Sequence, residues 1–186
     1  MRRYKRKPKK LIIDTSVFSE FVHMGLLEKL IEYKDFAKVK IILPENVRKE
    51  LVKERADQKI REALDYVIKQ HIFQVVNPSK EEINELRFRY PSLGEGEIGV
   101  LATALALKQS SSQCIIPILD DRQARKKARK IGLKVHGTLW LLIDLKKHGI
   151  LKTKSVIRIV SKLPSHGFFI TDEKLREIVE YVKKDC

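Results

Sequence analysis

Two cysteines in 186 residues, Cys114 and Cys186, supply neither a metal-ligand spacing nor a disulfide framework. Cys114 opens an apolar segment and reads as a small core residue, and so little cysteine fits a reducing cytoplasm. The five histidines, His23, His71, His136, His148 and His166, are scattered and form no His-Glu-x-x-His pair, which argues against a zinc hydrolase. No P-loop pattern occurs, which argues against a P-loop nucleotide-binding protein. No apolar run reaches 18 residues, and the basic head carries no apolar stretch of signal-peptide type. Membrane spanning and secretion are therefore not expected, and the expected location is cytoplasmic.

Acid is also in deficit. Lys and Arg number 39 against 24 Asp and Glu, a net charge of +15. Seven of the first ten residues are basic: Arg2, Arg3, Lys5, Arg6, Lys7, Lys9 and Lys10. Such a head is either a solubilising tail or a phosphate-binding arm. The excess persists beyond it, so a salt-dependent attraction to nucleic acid is expected, without any implied sequence preference.

The apolar fraction of 43% suffices for one real core, and the length suits one domain. Short apolar runs alternate with longer amphipathic stretches, the pattern of parallel strands joined by crossover helices. The expected strands are Leu11–Ile13, Lys40–Leu43, Ile72–Val75, Cys114–Leu119 and a short Lys134–Val135. Between them fall helices over Val17–Tyr33 (with a break at Gly25), from Pro44, over Gln58–Lys69, from Ser79, over Gly96–Gln109, over Arg122–Ile131 and over Thr138–Lys147. Ser79 and Glu82 have the spacing of a capping box. The expected organisation is a basic tail at 1–10, an α/β domain at 11–150, and a helical C-terminal extension at 151–186 packed on the same body.

What the chain does contain is a set of acids beside its most apolar segments. Asp14 ends Leu11-Ile12-Ile13-Asp14-Thr15-Ser16, where it can cap the following helix or sit at a strand end where ligands bind. Glu50 lies three residues after Val47 and one before Leu51, on the border of the inward face; it either lines a site or pairs with Lys49 or Lys53. Glu95 and Glu97 point about 200° apart on a helix. Glu97 shares the buried face with Leu101, Ala104 and Leu105, which makes it the candidate ligand and Glu95 the solvent or cap residue. Gly94 and Gly96 allow another segment or a phosphate close to the backbone. Asp120 and Asp121 follow the fourth strand, and either can instead cap the next helix. That helix carries Arg122, Arg125, Lys126 and Arg129, either a solvated face or a track for phosphates. Carboxylates gathered at one point repel unless a hard divalent cation sits among them, and on a cationic surface that arrangement suggests metal-assisted phosphodiester cleavage.

Taken in order, these pieces resemble a PIN domain: the opening hexapeptide, Pro44…Val47…Glu50-Leu51, Gly96-Glu97…Leu101-Ala102, and Asp120-Asp121-Arg122…Ala128…Gly132…Gly137-Thr138-Leu139. The tail, with Gly149-Ile150-Leu151, Gly167-Phe168 and Ile170-Thr171-Asp172, is similar to a prokaryotic, toxin-like (VapC-like) branch. The likeness runs from Leu11 to Lys184. It implies a three-layer α/β/α sandwich with a central parallel sheet of about five strands, Mg²⁺ or Mn²⁺ bound by acidic side chains, and endonucleolytic cleavage, usually of RNA. The catalytic acids it implies are Asp14, Glu50, Glu97 and Asp121; the metal ligands are Asp14, Glu97, Asp120 and Asp121. Thr15 and Ser16 would orient a carboxylate or a bound water, and Arg122, Arg125, Lys126 and Arg129 would bind nucleic acid. Two positions depart from the pattern. Leu119 stands where many relatives have Thr, and Trp140 occupies a place that is often small; it reads as a packed helix residue. Expected partners are RNA (DNA stays open), a small antitoxin protein and a second copy of the chain. The alternative reading is a PIN-like module that binds nucleic acid without cleaving it.

Overall fold

The computed structural model describes residues 9–53, 57–166 and 168–184. Four parallel strands form one sheet: β1 (Lys9–Ile13), β2 (Lys40–Pro44), β3 (Gln74–Val76) and β4 (Cys114–Ile118), in the order β3-β2-β1-β4. Strand β1 pairs with β2 on one side (Leu11 with Ile41) and β4 on the other (Leu11 with Ile116). Leu11, Ile12 and Ile13 are wholly buried, as expected for a central parallel strand covered on both faces. The first strand begins at Lys9, so Lys9 and Lys10 belong to the sheet and not to a basic tail. The rest of that tail lies outside the described residues.

The helices follow the anticipated segments. They are α1 (Thr15–His23), α2 (Leu27–Phe36), α3 (Glu45–Leu51), α4 (Gln58–Lys69), α5 (Lys80–Arg89), α6 (Glu95–Ser110), α7 (Arg122–Lys130), α8 (Thr138–Lys147), α9 (Thr153–Lys162) and α10 (Asp172–Lys184). The anticipated break at Gly25 is a helix-terminating turn: Gly25 adopts φ +65°, and its amide and that of Leu26 donate to Val22 and Phe21 carbonyls, which satisfies the last orphan carbonyls of α1. The Ser79–Glu82 capping box forms in both directions. Helix α6 buries almost every residue from Ile98 to Ala104 and packs on β1, β2 and β4. Helices flank the sheet in the α/β/α arrangement, and α9 and α10 pack together, with α9 lying on α8.

The sheet has four strands, not five. The segment expected as a fifth strand touches β4 through one bridge, between Ile118 and His136. His136 donates from its amide to the Pro117 carbonyl, and Leu119 donates to the His136 carbonyl. Before it, Leu133 is still tied to the end of α7 through Ala128, and after it Gly137 leads into α8. Too few free residues remain between the two helices to extend the ladder.

Candidate functional site

In this strand order the crossovers from β1 run to β2 and β3 on one side, and the chain then returns to place β4 on the other. The reversal falls between β1 and β4. In open α/β sheets, ligands bind beyond the carboxyl ends of the strands at such a switch point. Asp14 follows the last residue of β1 there, its amide donating to the Ile118 carbonyl of β4.

Asp14 is only 5% exposed. It occupies the N-cap position of α1 but makes no side-chain capping bond. Its Oδ2 accepts from the Ser16 hydroxyl at 2.9 Å, whereas its Oδ1 is buried without a hydrogen-bond donor among the described residues. Burial pushes the carboxyl from its ordinary 3.8 up to about 7; the Ser16 hydroxyl and the Thr15 amide oppose the rise, and the charges of Glu97 and Glu50 add to it. Among the described residues, no positive charge compensates an ionised carboxylate in this position.

Glu50 reaches the site from α3. Its carboxylate takes no lysine partner among the described residues: one oxygen accepts from the Thr15 hydroxyl at 2.5 Å and the other from the Gly96 amide at 2.8 Å. Gly96 is what permits this. A Cβ there would collide with the Glu50 carboxylate and press on the Thr15 hydroxyl. The close approach allowed by glycine therefore serves the chain's own α3.

Glu97, one turn into α6, is half-buried and reaches back to accept from the Gly94 amide at 2.8 Å. Burial raises its carboxyl above the usual range; the Gly94 amide lowers it, while Asp121 and Glu50 push it further up. Glu95 points elsewhere, its carboxylate gripped by Arg87 at 2.7 and 3.0 Å.

The adjacent aspartates part company. Asp121 is exposed and caps α7, accepting from the Ala124 amide at 2.6 Å, and its charge is felt by Glu97. Asp120, expected among the metal ligands, turns to α8. It accepts from the Thr138 amide at 2.8 Å and the Thr138 hydroxyl at 2.6 Å. Burial raises its carboxyl, opposed by those two bonds and the nearby Arg125 charge. Gly137 gives Asp120 its room, since a Cβ would come within 2.7 Å of its Oδ1. Thr138 is a site-shaping residue to which the sequence reading assigned no role; a Gly-Thr pair opening a helix is the signal that marks it.

Of the expected nucleic-acid contacts, Arg122, Lys126 and Arg129 are exposed on α7. Arg125 is half-buried and donates to the Leu119 and Asp120 carbonyls at 2.9 and 2.6 Å, pinning the turn after β4. Trp140 is the packed residue anticipated: it stacks on His136 at 4.1 Å, its ring 5.5 Å from the Lys9 ammonium.

Asp14, Glu50, Glu97 and Asp121 thus form one electrostatically coupled acidic cluster, while Asp120 stands apart on Thr138. Among the described residues, no three His, Cys, Asp or Glu side chains are gathered tightly enough to hold an ion as they stand. The donor chemistry nevertheless fits a hard divalent cation, which would provide the positive charge that the buried, donorless Asp14 Oδ1 lacks. Asp14, Glu97 and Asp121 are the residues that would hold it.

An open parallel sheet flanked by helices, with acids at its switch point and a basic helix beside them, defines the class as an α/β/α fold. A family model described as a PIN domain matches residues 10–184, and the chain belongs to the PIN domain family. Members of that family are generally nucleases that use divalent metals. Among solved structures, the chain is similar to PAE2754 from Pyrobaculum aerophilum, with 16% identity, a TM-score of 0.49, and alignment over 78% of this chain and 96% of that one. No curated protein matches the sequence. No described helix is long and apolar enough to cross a membrane.

Proposed function

We propose that the protein is an endoribonuclease dependent on Mg²⁺ or Mn²⁺, with Asp14 as its central ligand. The observation that carries this reading is the Asp14 carboxylate, buried at the switch point with one oxygen lacking a donor among the described residues. When bound, the cation supplies Lewis-acid stabilisation of charge on the scissile phosphate and lowers the pKa of attacking water. The protein's own groups bind and orient. Ser16 fixes the rotamer of Asp14, and Thr15 with the Gly96 amide holds Glu50 beside it. Exposed Arg122, Lys126 and Arg129 draw phosphates toward the acids. No nucleophilic side chain is required.

The same reading extends to a toxin whose site is masked by a small antitoxin protein; stoichiometric co-purification of such a partner, with activity returning on its removal, is the expected outcome. The test of the chemistry is a Mg²⁺ and Mn²⁺ titration of purified protein against structured and single-stranded RNA, with an EDTA control. Cleavage should require metal and disappear in Asp14→Asn, while RNA binding persists. Metal-independent cleavage, or full activity in that variant with contaminating nuclease excluded, would refute the assignment. RNA binding without turnover at any metal concentration would favour the non-catalytic binding module.

A further inference from the structure

The mechanism leaves Phe168-Phe169 unused. This pair lies in an irregular segment leading to α10. Phe168 is anchored: its amide donates to the Leu163 carbonyl and its ring packs against the core. Ile170 also packs against the core, and the Thr171 hydroxyl accepts from the Lys174 amide at the start of α10. Burial alternates from residue to residue here, and Phe169, between two anchored neighbours, is 94% exposed. A solvated phenylalanine is not informative alone, but the position of this one is.

Phe168 and Phe169 line a cleft of about 450 Å³ together with Ser16, Asp121 and Arg122. They also line a second cleft of about 390 Å³ that contains Arg129 and Trp140. Both clefts include Asp120 and Arg125. The aromatic pair is therefore shared by two openings, with an exposed arginine in each and with Asp121 of the acidic cluster, beside Glu20, in the first. Arg122 takes part in no ion pair among the described residues. Cations in both clefts and an aromatic face between them match the requirements of single-stranded nucleic acid: phosphates on the arginines, a base on the ring. Paired bases do not offer that face, because their stacking surfaces are already covered within the helix.

We propose that Phe169 is a base-stacking platform by which the site selects single-stranded RNA over duplex. The class of ligand rests on the nuclease reading, but the platform does not depend on turnover. One base stacks on the Phe169 ring while the flanking phosphates engage Arg122 and Arg129.

The test is fluorescence anisotropy with a labelled single-stranded oligoribonucleotide and a duplex of the same sequence, in EDTA and with Asp14→Asn as background, so that cleavage plays no part. Phe169→Ala should weaken single-strand binding by about 5- to 100-fold and leave duplex binding unchanged. Phe169→Trp should retain or tighten it, whereas Phe169→Leu should behave like the alanine variant because it keeps apolar area without a stacking face. Arg122→Ala should weaken both ligands and reduce the salt slope by about one. Wild-type affinity in Phe169→Ala, rescue by leucine, an equal loss for duplex, or no single-strand binding by the parent would each overturn the proposal. Phe169-dependent binding without metal-dependent cleavage by the wild type would sink the nuclease reading and leave the platform standing.

Discussion

Removing the Asp14 charge should make the metal-free protein more stable. A carboxyl whose protonation midpoint rises from 3.8 to about 7 on folding costs the folded state about 4 kcal/mol when ionised, at about 1.4 kcal/mol per pH unit. Because the folded value lies above the unfolded one, the protonated group's contribution is fully present below about pH 4 and is lost as pH rises through 7. Asp14→Asn removes that charge at every pH. In EDTA, the variant should match the wild type near pH 4 and exceed it increasingly up to about pH 8, by roughly 2–4 kcal/mol once the poorer hydrogen bonding of the amide is allowed for. For a chain of this size that corresponds to roughly 4–16 °C in melting temperature. Thermal unfolding at several pH values, read as the difference between the two proteins, cancels the other titrating groups. Adding Mg²⁺ should then raise the wild type more than the variant, since ligand binding stabilises only the protein that binds it. A variant less stable than the wild type at pH 8 in chelator would show that Asp14 is not the uncompensated charge inferred here.

Further outcomes follow from the same geometry. Mg²⁺ affinity measured by calorimetry should rise by up to about tenfold per pH unit below 7 and flatten above it, because the cation competes with the proton on Asp14; a flat profile from pH 5 to 8 would contradict this. Gly96→Ala should expel the Glu50 carboxylate from its place between Thr15 and the α6 amide, reducing cleavage by at least about tenfold with the fold retained by circular dichroism. Asp144→Ala should cost about 3–5 kcal/mol, since Asp144 takes the Lys9 ammonium at 2.9 Å and the Tyr33 hydroxyl at 2.5 Å in a buried setting. It sits toward the start of β1, away from the acids, so unfolding by urea should register the loss while metal affinity stays unchanged.

The parts of this architecture written in local spacing were legible in the sequence. The angle between Glu95 and Glu97 on a helix separated the residue held by Arg87 from the one in the cluster, whereas the border position of Glu50 left open both a site-lining role and a lysine partner. Strand and helix order followed from the change of period along the chain. What was not legible depends on tertiary partners. Asp120 and Asp121 are adjacent and chemically alike, and only the distant Thr138 decides that one faces α8 while the other caps α7. The short run at Lys134–Val135 has strand composition, yet α7 and α8 leave it a single bridge. Glu50 was expected to find a lysine if it lay at the surface; its real donors come from α1 and α6, which local spacing cannot reveal.

The Pro117 carbonyl on the outer side of β4 accepts from His136. Within a strand, the carbonyl and amide of one residue face the same neighbour, so the missing proline N–H falls on that outer margin. β4 is a terminal strand of the sheet, and the proline interrupts its row of donors while the bridge occupies the acceptor. Strand-by-strand annealing of a second chain along this border is thereby discouraged, and mixing of unfolded copies has one fewer route to fibrous aggregates.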